Sequence, residues 1–217
     1  MFSMTFNLGY AQTIAIFLSL FLLLFVIKLL LRGYHPLAYW LAFTASAIAG
    51  TAISDFIDRT LKFGYAMGSA VLIASLLSVL AVWYKKEKSI NVEYITSPSV
   101  EAFYWLAFLI ANTLGTAARD FIADKMGLGF EKGAILITGL LVVIALLHFF
   151  TKFSGTLLFW LAFVLTRPFG ATFGDFLTKP VAKGGINFGT IGSSIVFCVI
   201  LAFAIAKETK LEKARVE

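Results

Sequence analysis

Three aspartates stand at matching places in this chain. Asp55, Asp120 and Asp175 each precede a phenylalanine, and each lies 15 residues after a tryptophan, namely Trp40, Trp105 and Trp160. Thr51, Thr116 and Thr172 are close by. Carboxylate and hydroxyl oxygens together suit a hard cation, and a carboxylate in apolar surroundings can take up and release a proton. If all three acids face one side, they form a ring of the kind that attracts cations. These residue types do not say which metal. Two local features compete with this reading. Asp55 and Asp120 could instead cap short helices, because a carboxylate at a helix start accepts backbone N–H groups. Arg119 directly precedes Asp120, and Arg167 with Pro168 interrupts the last copy. A carboxylate paired with arginine need bind nothing else. The Arg167–Pro168 pair marks either a specialised gate or a divergent copy.

Other chemistry is sparse. Cys198 is alone, which excludes an intrachain disulfide, and the two histidines, His35 and His148, are far apart. There is no phosphate-binding loop, no nucleophile–base set and no metal-hydrolase spacing, so no enzyme activity and no cofactor is expected.

The elements that must position the aspartates repeat with them. Trp-Leu-Ala-Phe occurs three times, and small residues follow at a spacing of four: Ala42, Ser46, Gly50; Ala107, Ala111, Gly115; Ala162, Thr166, Gly170. Such a ladder lets helices approach closely in lipid, so Gly50, Gly115 and Gly170 are read as helix-crossing points. Fifteen helical residues span about 22 Å. That distance puts Trp40, Trp105 and Trp160 at the opposite membrane interface from the aspartates, as anchors.

Composition supplies the medium. Of 217 residues, 60% are hydrophobic and only 14% charged, with a mean hydropathy of +0.91, where a soluble domain carries about 25% charged residues. Seven stretches are long enough to cross a bilayer, at about 10–32, 36–54, 65–84, 100–119, 130–150, 154–174 and 187–206. The expected fold is therefore all-α: a polytopic transmembrane bundle forming one domain over 1–217. The side carrying Lys28, Arg32, Lys85, Lys86, Lys88, Lys152 and the charged tail 207–217 has the basic excess, which favours a cytoplasmic C-terminus and an external N-terminus. The net charge of +6 then faces anionic lipid and is not a nucleic-acid footprint.

Each repeat reads as a helical hairpin, and a hairpin returns the chain to its starting side. All copies are thus expected to be parallel. The hairpins are placed at 36–84, 100–150 and 154–206, with a partial copy at 1–32. The entries to the second helices support this: Gly9-Tyr10, Gly64-Tyr65, Gly129-Phe130 and, after an insertion, Asn187-Phe188. Counting back from Tyr10 leaves the first copy without its leading helix and its aspartate.

This pattern resembles a family of bacterial membrane proteins built of four tandem two-helix repeats, each with a marked tryptophan. The resemblance covers essentially the whole chain. It implies an eight-helix parent architecture and a bacterial cytoplasmic membrane location, but no activity. From the residues themselves, a transporter or channel for a small cation or a proton-coupled solute is expected. The alternative is a non-transporting scaffold or partner-binding protein. The lipid bilayer is the expected partner, and a small cation and a second copy of the chain are admitted beside it.

Overall fold

The computed structural model describes residues 9–31, 35–92, 97–181 and 184–216. The expected partial first repeat runs outside them at residues 1–8 and Arg32, and the tail does so at Glu217. The described residues form seven helices: α1 Tyr10–Leu30, α2 Pro36–Asp55, α3 Gly64–Glu87, α4 Pro98–Asp120, α5 Gly129–Phe150, α6 Gly155–Thr178 and α7 Thr190–Val216. All seven are long and apolar enough to cross a membrane. Pro36 and Pro98 open α2 and α4 at a position where the missing N–H costs nothing. Ser97 and Ser154 cap α4 and α6, their hydroxyls accepting from Val100 N at 3.2 Å and Leu157 N at 3.4 Å.

The tryptophan-bearing helices α2, α4 and α6 stand side by side, with α4 in the middle. Equivalent positions meet. The Tyr39 and Tyr104 hydroxyls are 3.0 Å apart and those of Thr51 and Thr116 3.3 Å apart. The Phe43 and Phe108 rings lie 4.9 Å apart, and Phe108 and Phe163 4.8 Å apart. The three helices are therefore parallel and in register, as repeats related by an axis along the membrane normal must be. Behind this row α1 packs on α2, α3 on α4 and α5 on α6. Each outer helix thus supports the first helix of the following repeat. Among the described residues the last outer helix, α7, touches both ends of the row, α2 and α6. Its helix continues through the charged segment beyond Lys207 as far as Val216.

Glycines set the spacing within the row. A Cβ on Gly50 would lie 3.0 Å from both Asn112 Cβ and Thr113 N. One on Gly115 would collide with Arg167 Cβ and lie 3.3 Å from Pro168 Cδ. Each glycine meets the residues three and two positions before the next repeat's glycine, so both crossings use one register. Gly170 departs from the expectation. Among the described residues nothing lies within 4 Å of a Cβ there, because Gly170 faces open cavity space between the row and α7.

The tryptophans also depart from a lipid-facing belt. They do occupy the ends of their helices away from the aspartates, but Trp105 is 1% and Trp160 5% exposed. Trp105 packs among Phe21, Phe25, Tyr39, Tyr104 and Phe108. Trp160 stands edge-on to Trp83 and donates to Ile90 O at 3.3 Å. Trp40 is half-buried and donates to Glu208 of α7 at 2.7 Å. A ring this large is better buried between helices than at a headgroup when three parallel helices bring their aromatic ends together.

Candidate functional site

Beyond Asp55 and Asp120 the chain does not break. α2 and α4 run on through single π turns, Phe56–Thr60 and Phe121–Lys125, closed by Leu61 N donating to Phe56 O at 2.9 Å and Met126 N to Phe121 O at 3.0 Å. Neither aspartate makes a side-chain cap bond. The capping alternative fails because no helix start, with its free N–H groups, exists at these points. Two π turns at one repeat position are a designed feature of the fold, and such bulges gather at functional sites.

The first π turn carries Arg59, and the ends of α2, α4 and α6 carry the other charges that meet along the row. Arg59, on the first of them, lies 3.4 Å from Asp55 and 3.8 Å from Asp120. Arg119 pairs with both Asp120 and Asp175. Lys179 stands 4.0 Å from Asp175. The three aspartates do come together, but as a ladder in which acid and base alternate across α2, α4 and α6. Acid facing acid is what a bare cation ring would need. Among the described residues no group of three or more acids, histidines or cysteines could hold a metal. The cause is geometric: Arg59 and Arg119 sit between neighbouring carboxylates, and ion pairing offsets the cost of charge in an apolar bundle. A fourth acid, Asp58, is buried beside Gly68. It has only the Ser54 hydroxyl, at 3.4 Å, as a hydrogen-bond partner among the described residues.

Thr172 does not join Thr51 and Thr116. It is 2% exposed, donates to Pro168 O at 2.5 Å and faces Gly133 of α5. Thr51 and Thr116 each follow their ladder glycine directly, whereas Thr172 is one residue further on, about 100° around the helix. The true equivalent is Ala171.

Next to the ladder the row opens into two adjoining cavities. One, of about 390 Å³, is reached by Arg119 and Asp175 of the ladder and by Ser193 and Ser194 of α7. The other, of about 220 Å³, lies deeper between α2, α4 and α6. Thr51, Thr116, Gly170 and Ala171 line both. The deeper cavity adds Ala47, Asn112, Thr166 and Arg167. Asn112 donates to Ser46 at 2.9 Å, and its other amide atom is buried without a partner. The Arg167 guanidinium lies 4.5 Å from the Phe43 ring and 5.7 Å from that of Phe108. A larger depression between α3 and α6, about 570 Å³, is lined mostly by apolar groups such as Leu77, Leu80 and Trp160.

Sequence reasoning passed over Arg59, Asn112 and the cavity position of Arg167. A signal existed. Ala47, Asn112 and Arg167 each lie three residues before a ladder glycine, and the aligned copies differ in polarity there. The repeated tryptophans, by contrast, turned out to be packing.

A family model described as Repeat of Unknown Function (DUF347) matches residues 38–89, 103–154 and 158–213. Each match takes in one helix of the inner row and the outer helix that follows it. No curated protein and no solved structure matches the chain. With three copies of the repeat spread over most of its length, the protein is a membrane-spanning member of this family of repeats of unknown function.

Proposed function

We propose that the protein moves a small solute across the bacterial cytoplasmic membrane along the face shared by α2, α4 and α6. One observation carries this reading: a cavity lined by Arg167, Asn112 and three threonines lies between apolar helices and adjoins a more open, largely apolar one that reaches Arg119 and Asp175 of the ion ladder. Buried polar surface at membrane depth is costly and generally lines a pathway. Of the two expected substrate types, the alternation of Arg59 and Arg119 with the aspartates weighs against a bare cation and for a solute. Proton coupling would fall to Asp58, a buried acid whose one hydrogen-bond partner among the described residues is the Ser54 hydroxyl. The basic excess at the tryptophan ends of the helices supports a cytoplasmic C-terminus.

The test is reconstitution into liposomes and recording of solute-driven currents and internal pH over a panel of small organic acids, amino acids and inorganic salts. Ala171→Leu adds bulk where the two cavities join and should abolish flux in a folded protein. If no solute moves faster than through protein-free liposomes, the scaffold alternative stands in its place.

A further inference from the structure

Arg167 lies in the middle of a membrane-spanning helix and, unlike Arg59 and Arg119, has no carboxylate within ion-pair distance among the described residues. Its Nη2 is buried without a hydrogen-bond acceptor. The rings of Phe43 and Phe108 attract the charge, but a ring face offers no lone pair to the in-plane N–H donors. Burial of a cation in this way is tolerated where it meets an anion or a pathway. The cavity that Arg167 lines has the space: at about 220 Å³ it exceeds the roughly 30 Å³ share of one water several times over. Its other polar groups are neutral, namely the hydroxyls of Thr51, Thr116 and Thr166 and the amide of Asn112. Among the described residues no acid lines it, whereas the outer cavity carries both Arg119 and Asp175.

We propose that this inner cavity is an anion site, in which the Arg167 guanidinium takes both oxygens of a small carboxylate and the Thr51 and Thr116 hydroxyls, turned away from the Ala47 and Asn112 carbonyls to which they now donate, add a hydrogen bond to one of them. This rests on the transport reading and names the substrate class. The planar fork of arginine matches two carboxylate oxygens, which a spherical halide cannot use. The side chain is oriented for the task from both sides. Phe43 and Phe108 fix the guanidinium, and Gly115 lets the Arg167 backbone approach α4 closely.

The test measures thermal stabilisation and calorimetric binding of sodium acetate by the purified protein in detergent, against sodium chloride at equal ionic strength. The wild type should bind acetate saturably and prefer it to chloride. Loss of a charge-assisted hydrogen bond should weaken binding about tenfold or more in Arg167→Gln. Arg167→Lys keeps the charge and should retain binding while losing the preference over chloride. Thr51→Val, which leaves the charge in place, guards against a folding failure at Arg167 and should weaken acetate binding by a smaller factor. Equal effects of acetate and chloride on the wild type, or unchanged binding in Arg167→Gln, would overturn the site. Acetate binding with no flux in liposomes leaves the site standing and removes the transport reading. Cation flux with no anion binding does the reverse.

Discussion

Gly115 and Gly170 hold the same place in the repeat, yet the structure gives them opposite fates on mutation to alanine. At Gly115 the new methyl group would meet the backbone-proximal part of Arg167, its Cγ at 3.2 Å, and Pro168 Cδ at 3.3 Å. A flexible side-chain tip could swing away, but a Cβ and a proline ring cannot, so α4 and α6 must separate. Overpacking of this kind costs about 3 kcal/mol at the upper end of its usual range. Replacing a helix-interior glycine returns about 1 kcal/mol. The net for Gly115→Ala is a loss of about 2 kcal/mol. At Gly170 nothing lies within 4 Å, so only the propensity gain of about 1 kcal/mol remains. Gly50→Ala falls between, with contacts at 3.0 Å to Asn112 Cβ and Thr113 N. Unfolding of each variant in mixed micelles, followed by circular dichroism as the denaturing detergent fraction rises, measures the differences. The reasoning fails if Gly170→Ala destabilises as much as Gly115→Ala, or if neither moves the transition.

Two further outcomes follow from charge. Arg119 bridges Asp120 and Asp175 with a side chain 21% exposed, while Arg59 is 49% exposed. Arg119→Gln leaves two carboxylates without their main partner and should cost about 3 kcal/mol or more in the same unfolding assay, whereas Arg59→Gln should cost about 1 kcal/mol or less; similar losses would show that the ladder is not graded by burial. A green fluorescent reporter fused after Glu217 should fluoresce in bacterial cells, and a periplasmic phosphatase active at that position would reverse the orientation drawn from the basic loops.

Much of the architecture was written in the chain. Seven apolar runs, and a Trp…Gly…Asp-Phe unit at a period of two helices, already dictate parallel hairpins, because two spans per unit return the chain to one side. They also place Asp55, Asp120 and Asp175 at one end. The neighbour of each repeated residue was not written there. Arg59 carried no signal of its own in the sequence, and only the folded chain sets it beside both Asp55 and Asp120, on neighbouring helices. Gly170 looked equivalent to Gly50 and Gly115, but a crossing needs a second helix in contact, and only the assembled row reveals that Gly170 faces a cavity. Trp105 looked like an interface residue because its type and helix position allow it; its burial follows from three aromatic helix ends converging. Identity between copies therefore does not assign one role: the tryptophans pack, the aspartates pair with arginine, and Gly170 lines a cavity. The position where Ala47, Asn112 and Arg167 differ marks what faces the cavity, since parallel helices in one register bring equivalent positions together around a single space. Sequence fixes each residue's place on its own helix, but whether that place meets lipid, another helix or a cavity is decided when the helices assemble.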